Sequence, residues 1–175
     1  MVIQYSNTLQ DLEEFTKYHY ANSPNMKRTN LMLVVGVALV IFLFVGAQHG
    51  FEYTQGRLVK ALVISAILGG YFLLTSKKRI ARSTRKMYSE GQGKGLLCEH
   101  ELEITDDHLL EKSESGETRT KFPMLYRISE TDSYLFIYIG TLMAHVIPKN
   151  RITHGDYQEF IQALLEKSQM SVNAK

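Results

Sequence analysis

Residues Leu31–Ala47 read LMLVVGVALVIFLFVGA, seventeen consecutive positions without a charge or a proline. As a helix this stretch rises about 25 Å, the short end of a membrane span. A helix in a water-soluble bundle keeps a polar face, and this segment has none. Some thirty largely polar residues precede it and no convincing small-residue cleavage site follows, which argues against a cleavable signal peptide. The apolar run is therefore expected to stay in the membrane.

A second run, Leu58–Leu74, reads LVKALVISAILGGYFLL and carries a single charge, Lys60, near its start. A long lysine side chain there can reach the interface. The link from Gln48 to Arg57 is short enough for an antiparallel hairpin, so residues 29–76 are expected to form two spans, 31–47 and 58–74. Lys27 and Arg28 precede the first, and Lys77, Lys78, Arg79, Arg82, Arg85 and Lys86 follow the second, whereas the link holds only Arg57. Flanking positive charge marks the cytoplasmic side, so both termini are expected there. Ala61, Ser65 and Gly69 recur every fourth residue. Small residues at that spacing serve close helix packing, either within the hairpin or in a homodimer.

The charge is divided along the chain. From Lys77 to Gly95 seven Lys/Arg face Glu90 alone, and from Leu96 to Lys175 thirteen Asp/Glu face eight Lys/Arg. A basic juxtamembrane segment, 77–95, thus precedes an acidic domain, 96–170. The basic side chains enforce topology and can attract anionic headgroups. Residues 1–28 form an N-terminal cytoplasmic part: a short strand from Val2 to Tyr5, then a helix over Leu9–Tyr20 capped by Thr8. The one cysteine, Cys98, allows no intrachain disulfide and reads as a small apolar residue.

After Leu96 the period changes to two. Glu101-Leu-Glu-Ile-Thr105 alternates, Asp106-Asp107 makes a turn, and His108–Lys112 returns. Further short strands are expected at Thr118–Phe122, Met124–Ser129, Tyr134–Ile139 and Leu142–Ile147. Tyr157, Phe160, Ile161, Leu164 and Leu165 fall at helical spacing behind Asp156. The fold class expected is an α+β membrane protein: a transmembrane α-hairpin, then a small antiparallel β domain with a C-terminal helix. By analogy of plan that domain is pleckstrin-homology-like.

Three stretches carry a family resemblance: Leu102-Glu-Ile-Thr-Asp-Asp-His-Leu109, Ile128-Ser-Glu-Thr-Asp-Ser-Tyr-Leu-Phe-Ile-Tyr138 and Ala144-His-Val-Ile-Pro-Lys149. With the N-terminal helix and paired apolar runs in the same order, the chain resembles the YcxB-like family of bacterial membrane proteins. One departure is Phe122-Pro123, where the family often places a tryptophan. The resemblance implies a fold and a location in the bacterial inner membrane, with no reaction attached.

Chemistry-bearing patterns are sparse. The six histidines, His19, His49, His100, His108, His145 and His154, do not pair at the spacing of a metal-binding helix motif. Glu99, Glu101 and Glu103 share one strand face and read as a solvated acidic edge rather than a metal site. No nucleophile-elbow or phosphate-loop motif is present, so no enzyme activity, cofactor or metal is expected. The acidic C-terminal half disfavours nucleic acid. The expected function is protein interaction or regulation at the membrane. The alternative is an immunity protein that neutralises a toxin, whose basic charge an acidic surface would attract. Asp106, Asp107, Glu130 and Asp132, in or beside turns, are the candidate partner-binding residues.

Overall fold

The computed structural model describes residues 1–48, 55–88 and 94–174. They fall into two compact units, Met1–Phe15 with Thr84–Lys175, and Thr16–Ser83. Of the link expected between the apolar runs, residues 49–54 lie outside the described residues, as do Gly91 and Gly93.

Helix α2 (Pro24–Gln48) begins with a proline whose fixed φ suits the first helical turn. It extends the apolar run on both sides. Among the described residues it is the one helix long and apolar enough to cross a membrane. Its apolar side chains lie open at the surface: Leu31, Val40 and Phe44 are 64%, 64% and 62% exposed. Helix α3 (Gln55–Met87) starts three residues before the expected second span and carries the basic segment through Met87 as continuous helix. Its apolar part is shorter, Val59–Thr75. A Cβ on Gly69 would lie 3.3 Å from Val34 Cγ1, so the glycine lets α3 approach α2. Ala61 is buried, and Ser65 Oγ returns a hydrogen bond to the Ala61 carbonyl at 2.8 Å.

The other unit holds two sheets. Strand β1 (Val2–Ser6) lies between β2 (Glu99–Ile104) and β8 (Ile152–His154). The order of the first sheet is β4 (Gly116–Lys121), β3 (His108–Ser113), β2, β1, β8, with antiparallel pairing throughout. The second sheet runs β7 (Ala144–Pro148), β6 (Tyr134–Tyr138), β5 (Arg127–Glu130), β9 (Val172–Ala174). It is antiparallel except that β9 pairs parallel to β5. β1 enters between distant strands because Ile3 and Tyr5 are apolar at period two, opposite Leu102 and His100. Gly155 permits the approach of β8: its φ is 87°, and a Cβ there would clash with the Val2 carbonyl oxygen. Two expected strands are shorter than their sequences suggested. Pro123 cannot donate to a ladder, and Phe122–Met124 forms a 3₁₀ turn instead. Leu142 and Met143 lie in the turn before β7.

Helix α1 (Leu9–Asn22) starts after Thr8 as expected, but the cap comes from Asp11 rather than from the Thr8 side chain. The Thr8 backbone N–H and hydroxyl both donate to Asp11 Oδ2, at 2.6 and 2.7 Å. Asp11 is fully buried, pairs with Arg151 and accepts from Tyr134 Oη at 2.9 Å. Burial and Asp11 push the Tyr134 phenol up to about 12. Helix α4 (Tyr157–Ser168) is capped by Asp156, which accepts from the Glu159 N–H at 2.9 Å. Its Phe160, Ile161 and Leu164 close a core shared by both sheets, with Ile3, Leu102, Leu109, Ile128, Leu135, Ile137 and Ile147.

Candidate functional site

Strand alternation sorts β2 and β3 into two chemically distinct faces. On the outer face Lys112 Nζ bridges Glu101 and Glu103, at 2.9 and 3.5 Å, so the acidic edge is neutralised by a lysine of the adjacent strand. On the inner face the register places Leu102 opposite Glu111 and His100 opposite Ser113. Leu102 and Ile104 continue into the apolar core, whereas His100 and Glu111 are diagonal neighbours at its end. From the second sheet, β7 presents His145 beside Ile147 on the same alternation.

These three side chains meet. Glu111 Oε1 lies 3.0 Å from His100 Nδ1 and 3.2 Å from His145 Nδ1. The histidine side chains are 3% and 4% exposed, so the carboxylate bridges the two sheets inside the protein. Burial alone would raise the Glu111 pKa, but hydrogen bonding and charge from the two imidazoles outweigh it and hold the carboxyl at about 2. For His100, burial opposes protonation, yet Glu111 and the Leu96 carbonyl raise its pKa overall. Its Nε2 lies 3.3 Å from that carbonyl oxygen. Tyr5 stacks on the ring, centroids 5.4 Å apart, and Cys98 Sγ lies 3.7 Å from Nε2. Buried beside Glu111, the Tyr5 phenol is pushed well up.

The trio borders a cavity of about 290 Å³. Gly95 belongs to its wall, where a Cβ would come 2.9 Å from Ser115 Cβ in the β3–β4 turn. No group of three or more His, Cys, Asp or Glu suited to a metal ion occurs among the described residues.

The residues proposed from sequence lie elsewhere. Asp106 and Asp107 form the β2–β3 turn; Asp106 pairs with Lys167 at 3.1 Å and Asp107 with His108. The His108 contact lowers the Asp107 pKa. Glu130 closes β5 and is engaged: Lys149 Nζ donates to it at 2.7 Å and Tyr157 Oη at 2.5 Å, lowering its pKa. Asp132 is exposed in the β5–β6 turn. Of the basic cluster on α3, Lys78, Arg79, Arg82, Arg85 and Lys86 are exposed. Arg85 pairs with Glu13 at 3.1 Å, and Arg79 lies over the Phe72 ring, 3.9 Å from its centre. Lys77 shares the same helix. Sequence reading missed the trio because its members are far apart in the chain. The available signal was alternation: Leu109, Glu111 and Ser113 share a face, placing a carboxylate next to an apolar residue.

Residues 104–164 match the model of a family described as YcxB-like protein. The chain therefore carries a YcxB-like domain. The match runs from the end of β2 into α4 and includes Glu111 and His145, while His100 and β1 lie before it. No curated protein and no solved structure matches the chain.

Proposed function

With a YcxB-like domain and a membrane-length helix on one chain as premise, we propose that this is a non-catalytic inner-membrane protein whose YcxB-like domain engages a protein partner on the cytoplasmic side. In this reading α2 and the Val59–Thr75 part of α3 are the two spans of a hairpin. The observation that carries it is the α2 surface: within this 25-residue helix the apolar run is apolar all round, and only 6% of its 18-residue apolar stretch is buried. Water does not tolerate such a surface on a monomer. Lys27 and Arg28, in the first turns of α2 ahead of its apolar run, and the positive residues after Val59–Thr75 then place both termini inside. The β domain is read as pleckstrin-homology-like, with a helix closing strongly bent sheets. Interaction rather than catalysis is favoured by the trio, where both imidazoles lie against Glu111 and hold it as a structural anion.

The partner face is assigned to the turns at Asp106, Asp107 and Asp132, with Glu130 beside them. Asp106 and Asp132 are exposed, Asp106 while paired with Lys167, whereas Glu130 is part-buried and held by Lys149 and Tyr157. Cross-linking in native membranes is expected to capture one dominant partner through this domain. Charge reversal at Asp106 and Asp132 is expected to slow association, more strongly at low salt. Unchanged capture by a folded double variant would remove these turns from the interface. A reporter active only outside the cytoplasm should work when inserted at Phe51 and be silent after Lys175; the opposite pattern would overturn the hairpin topology.

A further inference from the structure

Helix α3 holds no acidic residue from Gln55 to Met87. Past its apolar part, Val59–Thr75, it carries Lys78, Arg79, Arg82, Arg85 and Lys86, all exposed. At about 100° per residue these five fall within roughly 120° of the helix circumference. Thr84, on the opposite side, is buried. Topology requires a number of positive residues near the membrane, not a common face for them. A common face has a cost. Lys78, Arg82 and Lys86 repeat every fourth residue, a spacing at which like charges destabilise a helix. Among the described residues Glu13 meets Arg85, at 3.1 Å, and no carboxylate meets Lys78 or Arg82. We propose that this face binds the headgroups of anionic phospholipids, with Lys78, Arg79 and Arg82 at the phosphates and Arg85 and Lys86 adding attraction from beyond them. The proposal rests on the reading of Val59–Thr75 as a membrane span and is independent of the protein-partner reading.

Continuity along one helix selects a lipid as the anion. At 1.5 Å per residue Lys78 stands about 4.5 Å past Thr75, and Arg82 about 10 Å past it. The headgroup layer on each side of a bilayer is roughly 5–8 Å thick. Side chains on a helix lean towards its N-terminus, which for this part of α3 is the side of the span. Arg79 follows that direction: its guanidinium donates to the Phe72 carbonyl at 3.0 Å and lies 3.9 Å from the Phe72 ring centre. A guanidinium has five N–H groups, so this bond leaves donors for a phosphate. Arg85 and Lys86, about 15 and 17 Å past Thr75, act through the field, which reaches about 10 Å at 0.1 M salt. A soluble phosphate meets one or two of these side chains, whereas an anionic leaflet attracts them all.

The test places the full chain in phosphatidylcholine bilayers, with spin-labelled phosphatidylglycerol or phosphatidylcholine as the probe. Electron spin resonance reads the share of each probe held motionally restricted at the protein. A restricted phosphatidylcholine component reports the span alone, and its absence would overturn the membrane reading together with the proposal. With the span in place, phosphatidylglycerol is expected to associate up to about fivefold more strongly, the value of one basic residue at an anionic surface. The preference should shrink in 1 M salt, where screening acts within about 3 Å. Lys78→Gln with Arg82→Gln should remove most of it and leave the phosphatidylcholine component unchanged. Arg82→Ser with Ser83→Arg keeps the number of charges but moves one outside the arc, to a position that is also exposed, and should lower the preference too. Equal restriction of the two lipids, or a preference that survives the double glutamine variant, would overturn the proposal while the span stands. A preference unmoved by the serine–arginine exchange would overturn the assignment to one face, because number alone would then set it. Loss of the preference on adding inorganic phosphate at constant ionic strength would assign the face to a soluble anion instead.

Discussion

Helix α2 and strand β3 distribute polarity in opposite directions. The helix turns its apolar residues outward, with Leu31 and Val40 each 64% exposed. The strand turns a carboxylate inward, Glu111, and leaves Lys112 outside. The hydrophobic effect explains both once the surroundings differ. If α2 spans a membrane as proposed, the phase around it is hydrocarbon, where a leucine surface carries no penalty. Around the β unit it is water, so an inward carboxylate persists only because two imidazoles meet it there. The two regions should therefore respond in opposite senses to a change of charge.

The largest expected effect follows from removing charge where it is buried. Glu111→Gln removes the carboxylate that both buried imidazoles face, and breaking a buried pair this way costs about 3–5 kcal/mol. Amide hydrogen exchange of β2 and β3 in the intact chain would report it. A loss below about 1 kcal/mol would show that the trio does not hold the sheets together. The trio also sets a pH window. Glu111, lowered from 4.5 to about 2, contributes stability that is present above pH 4.5 and lost as pH falls towards 2. His100, whose pKa is raised from 6.5, contributes stability that is full below that value and lost as pH rises through its folded pKa. Protection of β2 and β3 should thus be greatest between these limits. A flat profile would separate the trio from the stability of the sheets.

Adding charge to the opposite region should have a somewhat smaller effect. Val40→Lys places an ammonium within the apolar run of α2, and insertion should become about 2.5–3.5 kcal/mol less favourable. Alkaline extraction of membranes would then release more of the chain. Unchanged retention would mean that α2 is not the membrane anchor. The smallest effect concerns neither core nor bilayer. Asp156→Ala removes the cap of α4 and should cost about 0.5–2 kcal/mol, read as faster exchange in the first turn of that helix. If exchange in β5 rises equally, α4 and the second sheet open together rather than separately.

Much of the architecture could be read from local pattern. The apolar run of α2, the spacing of Phe160, Ile161 and Leu164, and the strand–turn–strand around Asp106-Asp107 each depend on neighbours within a few residues, and the structure keeps all of them. Asp156 marked a helix start for the same reason, since a cap bonds only to its own first turn; at Thr8 the start was legible, but the accepting carboxylate is Asp11. The acidic edge was also legible, because Glu101 and Glu103 must share a face at period two. Its partner Lys112 was not named, since alternation assigns a face but not the strand beside it.

What the sequence determined by itself was therefore every element whose stabilising contacts are local: the apolar helix, the capped amphipathic helices and the hairpins joined by short turns. Only the tertiary structure decided the rest. It placed β1 between β2 and β8, across nearly the whole length of the chain, and added β9 beside β5. It also gathered His100, Glu111 and His145 from three strands of two sheets. Each of these residues alone reads as an ordinary polar position in a strand. Their meaning comes from burial against one another, a property of long-range pairing that no short window of sequence contains.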